Sequence, residues 1–432
     1  MEGLIAISLL LVLMIVGVPV AWSFAGVLGY LAYAYDANLN TLMLQGYRSI
    51  DSVILIALPL FVLTGYLMQS GGIASRLVNF IEVMVGRQRG GMGASMVLAS
   101  GIFGAIAGTA TAAVASIGTI MVGPLEQRGY PRGYSSALLG ISSLLGILIP
   151  PSITMILFAV VTRQSVAACF AASVGPALLL ITALILINRF SVGRFFQEVT
   201  SGAGLGMSEA PSKGRATLRA FPALVLPVII LGGIYGGIFT PTEAAAVAAF
   251  VAILIGFFIY RDLSINLFGR SIVAAAETTG TVILILLFSF MIGRILAAER
   301  IPQELTAVIT DLVKDPMLIL IAVNLFLILA GMIMDDVSVT VVVAPLFLPL
   351  MVATGVDPVH FASIVACSVV IGANSPPVAP ILYMACRIGQ VPIHHAVMPA
   401  LGLLLFAGVP VMLVTTFVPE LSLLFPRLLG LL

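Results

Sequence analysis

Apolar residues run through this chain in long blocks with little polar alternation between them. Blocks fall near 3–33, 51–69, 134–162, 168–188, 220–239, 242–260, 277–297, 360–388 and 393–418. Each can supply a helix across a bilayer core, which takes about 20 residues. Two further apolar regions, 93–124 and 316–352, exceed one span and carry polar residues at their middles, GTAT at 108–111 and MDDVS at 334–338. Two arms of roughly 15 residues rise only about 22 Å each, so each region predicts a re-entrant helical hairpin. Irregular backbone at a hairpin tip is tolerated only inside protein or beside water.

Composition closes off other classes. With 61% hydrophobic and 9% charged residues over 432 positions and a mean hydropathy of +1.20, the chain could not cover its apolar surface in water. The predicted fold class is an all-α polytopic membrane protein. A net charge of +1 makes no case for a nucleic-acid partner. The first block begins MEGLIAIS, without a basic leader or a small-residue cleavage site, and is expected to be a retained helix. Cys169, Cys367 and Cys386 are odd in number and scattered through apolar sequence, which suits packing rather than a disulfide framework. No GxSxG, HExxH or P-loop motif is present, and His360, His394 and His395 are too dispersed for a metal site, so the sequence does not read as an enzyme.

Charge then orients the layout. With the N-terminus inside and both long regions as hairpins, 13 of the 19 basic residues fall on the cytoplasmic side, including those of a polar linker at 189–219. Arg48, Arg163, Arg300, Lys314 and Arg427 fall outside, and Arg294 lies near the outer end of a span. That excess is what the positive-inside rule asks for.

Two stretches, GILIPPS at 146–152 and GANSPPV at 372–378, set paired prolines inside apolar runs. Pro150 and Pro376, Gly146 and Gly372, and Gly129 and Gly355 are each 226 residues apart. Each half reads as span, amphipathic segment, hairpin, glycine turn, Pro-Pro-broken helix and closing span. The hairpins enter from opposite sides under the charge-derived topology, which makes the halves an inverted repeat of the kind secondary transporters use. Proline removes a backbone donor, and the carbonyls freed at Pro150, Pro151, Pro376 and Pro377 cost several kcal/mol each in lipid unless they find a partner. A hard cation such as Na⁺ is one such partner. The oxygen-bearing candidates are Gly108, Thr109, Thr111, Gly146, Ile149 and Ser152 in the first half. In the second they are Gly331, Asp335, Asp336, Gly372, Asn374 and Ser375. Thr111, Asp335, Asn374 and Ser375 double as candidates for substrate. The first tip is expected to face the first break, and Asp335 and Asp336 to face Asn374 and Ser375. An intramembrane carboxylate is functional by default, although one of the two aspartates could merely cap the following helix.

GTATAAVASIG at 108–118, the GILIPPS break, GGIFTPTEAAAVAA from Gly236, GMIMDDVSV at 331–339, GVDPVHF at 355–361 and GANSPPVAP at 372–380 resemble, in order and across almost the whole chain, the large membrane subunit of tripartite ATP-independent periplasmic (TRAP) transporters. The resemblance implies an elevator-type, sodium-coupled importer of organic acids in the bacterial inner membrane. It also implies two protein partners, a small four-helix membrane subunit and a periplasmic substrate-binding protein. On this reading 1–50 is an N-terminal scaffold helix, 51–188 the first repeat (hairpin 93–124, broken helix 134–162), 189–219 a cytoplasmic linker and 220–276 scaffold helices. The second repeat is 277–418 (hairpin 316–352, broken helix 360–388), and 419–432 is a tail. Ala113 stands where the family often has an acidic residue, and Ser375 where it often has threonine. The resemblance extends to the wider ion-transporter superfamily, and a stand-alone sodium–dicarboxylate symporter of that superfamily is the alternative.

Overall fold

A computed structural model describes residues 2–86, 88–198, 213–376 and 379–432. Arg87, residues 199–212 of the expected linker, and Pro377 at the second break lie outside the described residues. Among those described, eight helices are long and apolar enough to cross a membrane, or nine if the bent pair 132–148 and 153–162 is one span.

The block at 3–33 is not one span. It folds as α1 (Glu2–Ile15) and α2 (Val20–Ala34), turned where Gly17 takes a φ of +92° that suits glycine and where Pro19 cannot continue a helix. The Tyr30 hydroxyl donates to the Glu2 carboxylate, so α2 lies back along α1. At 14 and 15 residues the two reach only about 21 and 22 Å, short of the ~30 Å core. With α3 (Leu39–Ile50), capped by Asn38, residues 1–50 hold three helices where the sequence predicted one.

The first repeat follows as α4 (Ala57–Ser70), the amphipathic α5 (Ile73–Val85), a hairpin of α6 (Gly91–Ala107) and α7 (Ala110–Gln127), then α8 (Arg132–Ser143), α9 (Leu145–Leu148), α10 (Ile153–Thr162) and α11 (Val166–Ser191). The Gly93 N–H donates to the Tyr130 hydroxyl at 3.3 Å, which closes the hairpin's base beside the start of α8. Two helices then lead into the second half, α12 (Lys213–Tyr235) and α13 (Pro241–Leu254). FTPTEAAAVAA begins α13: Thr240 and Glu243 form a reciprocal capping box, and the alanine face beyond it is buried close against α4. Small side chains there let two backbones approach.

In the second half α14 (Ile265–Ala298) runs 34 residues unbroken, so the boundary expected at 276–277 falls inside one helix. After α15 (Ile301–Leu312) come α16 (Pro316–Ile333) and the short α17 (Asp336–Ser338), a π-helical turn at Val339–Val343, and α18 (Ala344–Ala353). Phe326 and Phe347, with ring centroids 5.1 Å apart, join the two arms of this second hairpin. The broken helix is α19 (Pro358–Asn374) and α20 (Pro380–Ile388), followed by α21 (Ile393–Leu403) and α22 (Val409–Phe417). The expected tail is instead a helix, α23 (Pro419–Leu428), packed so tightly on α11 that a Cβ on Gly175 would lie 1.9 Å from the Leu421 carbonyl oxygen.

The repeat holds to the residue. The ends of α6 and α16 (Ala107, Ile333), the starts of α7 and α17 (Ala110, Asp336), the ends of α7 and α18 (Gln127, Ala353) and the starts of α8 and α19 (Arg132, Pro358) are each 226 positions apart. The turn glycines Gly129 and Gly355 share that offset and have φ of +87° and +86°. The two broken helices run in opposite directions. The end of α20 meets the start of α8, where a Cβ on Gly389 would lie 2.2 Å from Ser136 Oγ. The end of α10 meets the start of α19, with the Phe158 and Phe361 rings 6.0 Å apart.

Candidate functional site

Two hairpin tips and two helix breaks converge where the repeats meet. In the first half, Gly108 turns the chain at φ +68°, and Thr109 caps α7 by accepting from the Ala112 N–H at 3.3 Å. Pro150 and Pro151 have no N–H to offer the preceding turn, and the chain re-enters helix at Ser152, whose hydroxyl accepts from the Met155 N–H at 3.4 Å. The first donor of α10, the Ile153 N–H, reaches the Gly108 carbonyl at 3.2 Å. The first tip therefore does face the first break. Thr111 is exposed on the first turn of α7, and Ile149 takes extended backbone at the end of α9.

Glycine makes this closeness possible twice. A Cβ on Gly104 would lie 2.6 Å from the Gly146 Cα, and a Cβ on Gly372 would lie 2.8 Å from the Gly331 Cα. Each hairpin's first arm thus crosses the broken helix of its own repeat backbone to backbone, at the equivalent Gly146 and Gly372, with the first-arm glycines one position out of register. Any side chain there has to displace main chain.

At the second tip Asp335 sits at the start of α17, and its carboxylate accepts from the Ser338 hydroxyl. Asp336 does something different. Its Oδ2 accepts from the Thr154 hydroxyl at 2.7 Å, joining the second hairpin to the first turn of α10. This departs from the expected pairing with Asn374 and Ser375. Asn374 is fully buried and turns to the first repeat, where its Nδ2 donates to the Gly140 carbonyl at 3.4 Å. Its Oδ1 has no hydrogen-bond partner among the described residues. Ser375 donates to the Ile371 carbonyl of its own helix at 2.8 Å, which leaves its lone pairs available.

Thr154 and Gly140 were missed from the sequence. Thr154 had a signal: it stands two residues past Ser152, on a helix start whose donors lack intrahelical acceptors. Gly140 had none, since only the fold brings α8 against Asn374. The site gathers carboxylate, amide, hydroxyl and carbonyl oxygens, the donor chemistry of a hard cation or a polar solute.

Oppositely directed units, each a hairpin packed on a broken helix, with polar groups gathered where they meet, are the architecture of a membrane transporter. The comparisons carry this to a family. The profile of "Tripartite ATP-independent periplasmic transporter, DctM component" matches residues 7–421. The chain is 34% identical over 406 residues to the C4-dicarboxylate TRAP transporter large permease protein of Pseudomonas aeruginosa, covering 94% of this chain and 93% of that one. It is 32% identical over 417 residues to the sialic acid TRAP transporter large permease protein of Vibrio cholerae, covering 96% of each. Among solved structures, the Alcanivorax borkumensis YdaH transporter shares the fold, with a TM-score of 0.62 over 89% of each chain at 15% identity. The chain belongs to the DctM family: it is the large membrane subunit of a TRAP transporter, a multi-pass protein that carries solute.

Proposed function

We propose that this subunit imports a small organic acid across the bacterial inner membrane, driven by the sodium gradient. The observation that carries the reading is Asp336, a carboxylate on one repeat's hairpin tip held by a hydroxyl of the other repeat, beside open backbone at the breaks. A charge in such a place is costly unless it serves an ion or solute. Na⁺ would be held by oxygens of Asp336 and Asn374 on one side, and by the backbone around Gly108, Gly146 and Ile149 on the other, while Asp335 holds the start of α17 through Ser338. Asn374 Oδ1, buried and unpartnered, supports that fit because a buried acceptor left unmade is expensive. The solutes named for the two relatives, a C4-dicarboxylate and a sialic acid, are both carboxylates. They support an organic acid as cargo.

The remaining assignments follow from the same reading. A small membrane subunit and a periplasmic binding protein complete the system, as the family's name, tripartite, implies. The two hairpins enter the bilayer from opposite faces and move with the broken helices as one unit. The helices α12 and α13 stay with the scaffold. The test is uptake in proteoliposomes holding all three components, using solutes first identified by a ligand screen on the binding protein. Uptake should vanish when the sodium gradient is collapsed. Full uptake driven by protons in sodium-free buffer would overturn the coupling, and uptake by this chain alone would favour the stand-alone symporter.

A further inference from the structure

Further along the two elements that make the Thr154–Asp336 contact lies a cavity of about 650 Å³ that the transport reading does not use. Its walls continue the two elements that make the contact. Val160 is six residues past Thr154 on α10, and Val342 is six past Asp336 on the second hairpin. The other wall is α14 with the end of α3, fixed to the hairpin where the Ser289 hydroxyl donates to the Val341 carbonyl at 3.3 Å. That carbonyl is free because Pro345, four residues on, has no N–H to give it.

Two cations line the space. Arg163 stands at the end of α10, turned by a φ of +59°, and Arg294 projects from α14 on the facing wall. Gln164 and Ser52 add polar groups, and no Asp or Glu is among the described lining residues. Neither arginine forms an ion pair among the described residues. Asp51 and Glu299 adjoin lining segments in the chain but do not line the cavity. Two guanidiniums without counter-charge between apolar walls raise the local concentration of anions, and guanidinium matches a carboxylate in shape.

We propose that this cavity is an anion-binding vestibule, in which Arg163 and Arg294 capture a carboxylate solute and pass it toward the Thr154–Asp336 contact. The passage rests on the transport reading; the attraction for anions does not.

The test reads the charge preference of the cavity with two thiol reagents. The three native cysteines are buried, so Val160→Cys supplies the thiol. Its reaction rate is measured with an anionic sulfonatoethyl and a cationic trimethylammonioethyl methanethiosulfonate, as a ratio normalised to a free thiol. Any change in thiolate fraction cancels in that ratio. The anionic reagent should be favoured roughly tenfold, less at high salt. Arg163→Gln with Arg294→Gln should bring the ratio to that of the free thiol, and Arg163→Lys with Arg294→Lys should restore it. A ratio that never favours the anion, or that survives loss of both arginines, overturns the proposal. If sodium-driven uptake fails while the ratio behaves as expected, the vestibule stands and the transport reading falls. If the double Gln variant takes up solute with the parent's half-saturation and an unchanged ratio, the vestibule alone falls.

Discussion

The two hairpin tips share a register and differ in backbone and in chemistry: Gly108 is left-handed at φ +68°, whereas its equivalent Met334 is extended at φ −104°. Thr109 and Asp335 occupy equivalent positions 226 residues apart, each at the start of a hairpin's second arm. The first tip follows with Ala110, the second with Asp336. One tip is neutral and is bound to its own repeat through the Gly108 carbonyl. The other carries two carboxylates, one of them bound across to the opposite repeat through Thr154. The second arm also contains a π-helical turn at Val339–Val343, where the first is regular α-helix. A duplicated scaffold thus supplies two equivalent openings, and substitution at the tips makes them unequal. In this chain the charge that an ion or solute would answer sits on the second tip alone.

The largest expected effects test what the halves have in common. Gly146→Val and Gly372→Val both drive a side chain into main chain, since a Cβ would lie 2.7 Å from the Thr109 oxygen in one case and 2.5 Å from the Ile328 oxygen in the other. Each should cost about 3 kcal/mol or more, read as loss of folded subunit in detergent melting curves. Tolerance at one site and collapse at the other would break the equivalence. Gly331→Ala is the milder control, because its Cβ meets its nearest neighbour at 3.3 Å.

The next effects test what sets the halves apart. Asp336→Asn keeps size and hydrogen bonding but removes charge where water compensates poorly, so the sodium concentration for half-maximal uptake should rise tenfold or more, equivalent to about 1.4 kcal/mol. Asp335→Asn should change it less than about threefold, because Asn can still accept from Ser338 and serves as well at a helix start. Wild-type sodium curves for both variants would remove these carboxylates from the site. Thr154→Val, which deletes the link between repeats, should give an intermediate shift near fivefold, or about 1 kcal/mol. At the first tip, Thr109→Ala, the position equivalent to Asp335, should leave the sodium curve in place and lower stability by about 1 kcal/mol through loss of a cap. The smallest effect is expected at Ser289→Ala, which strands the Val341 carbonyl. A loss of about 1 kcal/mol or less in stability, measured by the same melting curves, would fit a partly compensated acceptor.

Much of this architecture was legible along the chain because lipid is an unforgiving solvent. Glycine, paired proline and aspartate inside apolar runs are each expensive there, so the tips at 108–111 and 334–338 and both breaks stood out at their places, and their spacing exposed the repeat. The misreadings have physical causes as well. The turn at Gly17–Pro19 carries residues that usually mark turns, but it lies inside one apolar block whose length suits a span. The C-terminal α23 is only ten residues long, too short for a span, and it owes its place to burial against α11. The long α14 hid a boundary because a continuous helix needs no punctuation where a repeat begins.

The sequence by itself determined the solvent, the helical class, the positions of the interruptions and the 226-residue register, since each follows from local composition or from counting. Tertiary structure alone decided which interruptions meet. Asp336 binds Thr154 and Asn374 turns to Gly140 because oppositely directed repeats interlock, so the second arm of the first broken helix lies against the other repeat's hairpin and the first arms of the two broken helices touch. Residues 182 and 234 positions apart come into contact there. No local pattern encodes such a meeting, because the free energy that favours it belongs to the packed interface between the repeats and to neither segment alone.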